Sequence, residues 1–269
     1  TMVYGIAKML NFAHGDVIMV GGYVSFMAMS SAGLPALPAV LLSVLVCTAL
    51  GVVIERIAYK PLRGANSLAV LITAIGVSYL LQNLALLIFG ANPKSFSSVV
   101  PLPVLSLAEG KLTISGETLT AILACVIVMI SLTAFINKTR AGQAMLAVSE
   151  DKGAATLMGV NVNSTIALTF AIGSALAALA GVLLCSAYPT LTPTTGAMPG
   201  IKAFVAAVLG GIGSIPGALI GGLLLGVLEN LSKAYISSKL SDAIVFSVLI
   251  IVLVVKPTGI LGRKIMEKV

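Results

Sequence analysis

Charge is scarce in this chain: 9% of its 269 residues are Asp, Glu, Lys or Arg, against roughly a quarter in a soluble domain. With 58% hydrophobic residues and a mean hydropathy of +1.11, that scarcity excludes a soluble globular fold and a disordered tail. Histidine occurs once, as His14, and cysteine three times, as Cys47, Cys125 and Cys185, so neither a His/Cys metal site nor a disulfide framework is indicated. Each cysteine lies inside an apolar stretch with no CxxC spacing and reads as a small buried hydrophobe. The 27 glycines keep no triplet period, which removes a collagen-like repeat. Nucleotide signatures are missing too. The phosphate-cradling run GxxxxGK followed by Ser or Thr does not occur, the one Gly-Lys pair, Gly110-Lys111, being followed by Leu112. Gly211-Ile212-Gly213 has no strand pattern before it and Pro216 where a dinucleotide loop needs its third glycine. No GxSxG elbow is present either. Acidic residues are outnumbered, 9 against 16 Lys and Arg for a net charge of +7, but the basic residues are dispersed among apolar runs. They indicate loops at an anionic membrane face and not nucleic acid.

What is present is a series of uncharged runs at residues 17–33, 37–54, 67–90, 118–137, 165–187, 201–231 and 243–255. Their lengths suit helices crossing a hydrocarbon core of about 30 Å, and they are apolar on every face, unlike the alternating ten-residue segments of a barrel. The fold class is therefore all-α, a polytopic transmembrane helical bundle forming a single domain over residues 1–269. Prolines fall between the runs or at their margins, with one exception. Pro216 interrupts 201–231, which as one helix would be about 46 Å long. Gly211, Gly213, Pro216 and Gly217 break that run into two helices around residues 214–217, bringing the total to about eight membrane segments. If the halves turn back on each other, Lys8, Arg56, Lys60, Arg63, Lys138, Arg140, Lys152, Lys256, Arg263, Lys264 and Lys268 share the inner side, as cytoplasmic loops prefer. Lys94, Lys111, Lys202, Lys233 and Lys239 are then outside. The chain opens on Thr1-Met2-Val3 in an already apolar stretch, and a further apolar segment is expected upstream.

Three features stand out from this background. Asn11-Phe12-Ala13-His14-Gly15-Asp16 gathers polar and ionisable groups beside a membrane run, where they are costly unless they face protein or water. Asp16 suits a cap on a helix opening at Val17, and Asn11, Phe12, His14 and Asp16 are also candidates for a pathway or gate. Small residues recur every four positions at Gly173, Ala177 and Gly181, at Gly213, Gly217 and Gly221, and at Gly222 and Gly226, a spacing that lets helix backbones approach. Glu229 and Lys233 have the i, i+4 spacing of an ion pair, and Arg56, Lys60 and Arg63 fall on one helical face.

The third feature is the loop 138–164, whose pattern is helical. An apolar-faced segment from Gly142 to Val148 is followed by Ser149-Glu150-Asp151, a cap and acidic turn, and a second helix stops at Gly159. Such a loop is suited to dock a soluble partner. Gly153-Ala154-Ala155-Thr156-Leu157-Met158-Gly159 resembles the EAA motif of ABC importer permeases, which seats the permease in a cleft of its ATPase. Thr139-Arg140-Ala141-Gly142 through Gly159-Val160-Asn161-Val162, the 11–16 cluster, and the run from Ala203-Phe204 to Leu228-Glu229 resemble the H-type permeases of branched-chain amino acid importers over nearly the whole chain. Gly153 stands where the motif has Glu, so any contact made by that carboxylate is absent or is supplied by Glu150 or Asp151.

The resemblance implies a permease subunit of the bacterial cytoplasmic membrane without an active site of its own. It implies a second related permease chain, two cytoplasmic ATPases carrying ATP and Mg, and an extracytoplasmic binding protein, with Arg140, Gly142, Glu150, Asp151, Gly153, Ala154, Ala155 and Gly159 in the coupling region. The cargo would be leucine, isoleucine or valine, with urea or short amides the alternative. A proton-coupled secondary transporter, relaying protons through His14 and Asp16, is the reading from a different class.

Overall fold

The computed structural model describes residues 2–100, 102–107, 112–256 and 258–262; Lys111, Arg263, Lys264 and Lys268, used above for orientation, lie outside them. The helices of the described residues are α1 (Met2–Ala7), α2 (His14–Ser30), α3 (Ala36–Ile54), α4 (Ser67–Phe89), α5 (Gly116–Lys138), α6 (Arg140–Glu150), α7 (Lys152–Leu157), α8 (Val162–Ala187), α9 (Ala197–Gly210), α10 (Ile215–Tyr235) and α11 (Ser241–Val255). The strands of the described residues are β1 (Lys94–Ser95), β2 (Leu105–Leu107), β3 (Leu112–Ile114) and β4 (Thr190–Leu191), paired β1 with β4 and β2 with β3 in antiparallel ribbons. Five segments are long and apolar enough to cross a membrane: Ala36–Leu62, Ser67–Phe89, Gly116–Lys138, Val162–Ala187 and Ile215–Tyr235. The shorter α2, α9 and α11 complete the eight expected segments.

The core is built around α8. The Ser43 hydroxyl donates to the Gly21 carbonyl at 2.7 Å and the Cys47 thiol to that of Val17 at 3.8 Å, so α3 runs antiparallel to α2. A Cβ placed on Gly21 would lie 2.7 Å from the Ala178 Cα, one on Gly181 would overlap the Ile18 carbonyl, and one on Gly51 the Ser174 side chain. The stripe Gly173, Ala177, Gly181 is thus spent on packing within the chain, with α2 parallel to α8. Arg63, Lys138, Arg140 and Lys152 all fall where α3, α5 and α8 meet the loop 138–164, which defines a basic end of the bundle; β1 and β4 lie at the other.

Residues 197–235 form an antiparallel hairpin. Gly210 faces Gly217, and a Cβ on Gly221 would overlap the Ala206 carbonyl. Gly211 and Gly213 turn the chain with φ of +106° and +88°, values that glycine reaches without steric cost. Ser214 caps α10 by accepting from the Gly217 N–H at 3.1 Å, and Pro216 sits in the first turn, where no N–H is needed. Lys202 bridges Glu229 on α10 and Asp242 on α11, each at 2.8 Å, and Lys233 closes on Glu229 at 2.6 Å. The Ile260 and Leu261 N–H groups bind the last carbonyls of α9, Leu209 at 2.9 Å and Gly210 at 3.0 Å.

Several expectations need correction. Gly222 and Gly226 meet little: an added Cβ would find only Ala206 at 4.0 Å in the first case and nothing in the second. Cys47 and Cys185 are buried but Cys125 is exposed, because α5 turns most of its surface outward. Arg56 and Lys60 line one crevice with Glu55 and Asn163, the partners of Arg63, but the three do not sit on one regular helix. A π-turn at Glu55–Tyr59 and a 3-10 turn at Lys60–Leu62 break the helical register, which sends Arg63 to Glu55 and Asn163 while Arg56 and Lys60 stay exposed.

Candidate translocation site and docking loop

Two helices begin inside the bundle instead of at its ends. The His14 ring lies 3.8 Å from a Cβ built on Gly173, eleven residues into α8, which places the start of α2 about 16 Å from the basic end, near half the depth of a membrane core. The start of α9 packs against it: a Cβ on Gly200 would lie 2.6 Å from the Gly15 Cα, and one on Gly196 would overlap the Gly15 carbonyl. Neither N-cap residue, Ala13 nor Gly196, gives a side-chain cap. The N–H groups of His14, Asp16 and Ala197 are taken by the carbonyls of Asn11, Ala13 and Thr194, so what meets at mid-depth is irregular backbone at two helix starts, which is tolerated only against protein or a water-filled cavity.

Here the sequence-derived cap fails. α2 opens three residues earlier than Val17, so Asp16 lies within its first turn, buried to 1% exposure, and its carboxylate accepts from the Gln82 amide of α4 at 2.9 Å. Asn11 accepts from the Tyr59 hydroxyl at 2.9 Å. Phe12 meets Phe204 of α9 with ring centroids 5.9 Å apart. Asn11, Phe12, His14 and Asp16 are thus gathered around one helix start, each facing a different neighbouring element. Among the described residues no group of three or more His, Cys, Asp or Glu side chains could hold a metal.

The loop 138–164 forms two helices that meet at a corner. Thr139 caps α6 through the Gly142 N–H at 3.0 Å, and Gly142 is obligatory because a Cβ would overlap the Ile136 backbone. Arg140 begins α6, exposed. Ser149 and Glu150 belong to its last turn, so the expected three-residue cap reduces to Asp151, which accepts from the Ala154 N–H at 3.0 Å and opens α7. That helix ends in a Schellman arrangement: Gly159 takes φ +82°, its N–H reaches Thr156 at 3.0 Å, and the Val160 N–H reaches Ala155 at 2.9 Å. Ala155 is buried, Gly153 and Ala154 are exposed, and Leu157 and Met158 protrude at 90% and 84% exposure. Two large apolar side chains are thus held outward on a capped helix.

The family model for the permease component of branched-chain amino acid transport systems matches residues 1–253. The chain belongs to this family. It is 46% identical to the high-affinity branched-chain amino acid transport system permease protein BraD of Pseudomonas aeruginosa, covering 100% of this chain and 91% of that protein. The LivH permease of Salmonella typhimurium is likewise 46% identical with the same coverage, and a probable branched-chain amino acid permease of Methanocaldococcus jannaschii is 30% identical over 97% of the chain and 86% of its own length. No solved structure matches. The protein is a multi-pass transport permease of the cytoplasmic membrane.

The permease also has functional contacts that sequence reasoning did not find. Gln82 was hidden in an apolar run, where a lone amide was its only signal. Lys202 and Asp242 extend the expected Glu229–Lys233 pair into a relay across three helices. Lys152, at the start of α7, donates from Nζ to the Ala7 carbonyl at 3.2 Å. Burial, and then the neighbouring Arg63 and Lys8 cations, hold its ammonium below the usual lysine pKa.

Proposed function

We propose that this permease carries branched-chain amino acids inward as half of a membrane core completed by a second related permease chain. The basic end faces the cytoplasm, where α6 and α7 dock one of two ATPases that bind ATP and Mg, and an extracytoplasmic binding protein delivers leucine, isoleucine or valine to the opposite face. The observation that carries the reading is the full-length similarity to permeases of that transport class. The capped α7 with its protruding Leu157 and Met158 supports the docking role. In this reading the cargo passes the abutting starts of α2 and α9, where the Asn11–Tyr59 and Asp16–Gln82 contacts are available to open and close. The positive dipole ends of the two helices there favour a carboxylate over a neutral amide. Closure of the ATPase dimer displaces α6 and α7 as a body and reorients the spans around the fixed α8.

The test is a gentle-detergent pull-down followed by reconstitution into proteoliposomes. Co-purification of ATPases and a second permease, with ATP-dependent leucine uptake that excess valine inhibits and urea does not, is the expected result. A chain that purifies alone and transports under a pH gradient would instead place it among proton-coupled carriers. Within the assembled complex, Glu150→Lys with Asp151→Lys, or Gly159→Pro, abolishes uptake while leaving the spans folded. Unchanged uptake at equal expression removes the docking role.

A further inference from the structure

The docking loop packs on α1 and α8 through α6, and one polar contact adds α7 to that seam. Lys152 lies at the first position of α7, and its ammonium reaches across to the Ala7 carbonyl of α1 at 3.2 Å, one of the terminal carbonyls a helix leaves without an internal partner. Immediately after Ala7 the chain reverses: Lys8 takes φ +57°, the only non-glycine residue with positive φ among the described residues, a conformation L side chains rarely adopt. Residues 8–13 then climb back into the bundle to Asn11 and His14. The same short helix touches both other elements that turn inside the membrane. A Cβ on Gly5 would lie 3.1 Å from the Gly213 Cα in the α9–α10 turn, and Val3 Cγ2 lies 3.3 Å from a Cβ built on Gly173, the residue beside His14. α1 is thus packed between the docking loop, the hairpin turn and the stretch of α8 around Gly173, against which His14 also lies.

We infer that Lys152 is the positioning residue that transmits displacement of the docking loop to the re-entrant segment 8–13, and through it to the opening of α2, with α1 as the strut. The inference rests on the transport reading above. Pulling on Ala7 acts where the backbone already holds a sparsely populated conformation, so a small shift of α7 is converted into a change of direction at Lys8. A mobile, flexible link elsewhere along 138–164 would lose that motion. The ammonium does no chemistry on the cargo, and its removal leaves the ATPase-facing surface of α7, with Leu157 and Met158, in place.

The experiment uses the complete complex in proteoliposomes, with ATP hydrolysis and leucine uptake measured together. Lys152→Met keeps the length of the side chain and removes the donor; Lys152→Arg keeps a donor. The expected result is that the Lys152→Met complex assembles and hydrolyses ATP while uptake per ATP falls by between about twofold and thirtyfold, the range over which single residues modulate coupling between sites, and that Lys152→Arg recovers most of it. A thiol introduced as Lys8→Cys should change its labelling rate when ATP is bound, and this response should vanish in the Lys152→Met background. An unchanged uptake-to-hydrolysis ratio overturns the inference while leaving the transport reading intact. So does reduced recovery of the ATPases with Lys152→Met, which would make Lys152 a docking contact. Failure of the unaltered chain to assemble or transport would overturn the transport reading itself.

Discussion

Around α8 and within the α9–α10 hairpin the helices meet through glycine and hydroxyl contacts, whereas α11 joins that hairpin through Asp242 on Lys202, part of a relay of four charged side chains, over a small separate core of Val205, Ala206, Leu209, Leu225 and Val245. Lipid offers apolar helices no drive to associate, so each region needs a substitute. In the first it is close approach of backbones, which fixes position to within a fraction of an ångström, because backbone atoms on either side leave nothing flexible to absorb a shift. In the second it is the long, jointed side chain of Lys202, which can keep both of its carboxylate partners while the helices slide. The contrast separates a frame of α2, α3, α8 and the α9–α10 hairpin, joined by backbone contact, from α11, which is held by side chains.

The largest expected effect comes from attacking the frame. Gly181→Leu drives a side chain into the Ile18 carbonyl and costs about 3 kcal/mol or more, so monodisperse protein should disappear on gel filtration of the solubilised membrane; its survival would mean that α2 and α8 are not rigidly joined. Next is Lys202→Met, which removes the centre of the relay and destabilises the chain by about 2 kcal/mol, as for loss of charge-assisted hydrogen bonds. Faster amide exchange should then be greatest in α11, and exchange that spreads equally to α2 would erase the distinction between the frame and α11. Lys233→Ala removes only the exposed i, i+4 arm of the relay and lowers thermal stability by about 0.4 kcal/mol, a loss that high salt should mask. At the small end, Gly226→Ala meets open space and should be neutral or raise stability by up to about 1 kcal/mol through helix propensity; marked destabilisation would reveal a close partner at that face.

The membrane segments were legible because each is a continuous apolar run and lipid permits few alternatives. The hairpin break was equally clear, since Gly211, Gly213 and Pro216 announce a turn by their own backbone chemistry. The start of α2 was misread by three residues because Asp16 offers a cap locally, and only Gln82, sixty-six residues away, shows that the carboxylate is engaged elsewhere. Gly15, Gly196 and Gly200 carried no such signal: their contact depends on two interrupted helices meeting in space, and in the sequence they are glycines among 27. Lys152 was hidden likewise, appearing as one more cation at a loop until the structure set it against Ala7. In the docking loop the reverse held. Its caps at Thr139, Asp151 and Gly159 are short-range, so a local pattern was nearly sufficient, and only the placement of Ser149 and Glu150 moved.

The distribution of the three thiols has a practical consequence for labelling. Cys47 and Cys185 are enclosed, and Cys125 opens onto an apolar crevice of about 290 Å³ between α3, α5 and α8, nine residues into a membrane helix, away from the water that carries water-soluble maleimides. The unaltered permease is therefore already a silent background for site-directed fluorescence and spin-probe spectroscopy, and a single reporter cysteine can be introduced at the docking loop or the hairpin turn without first stripping the native ones.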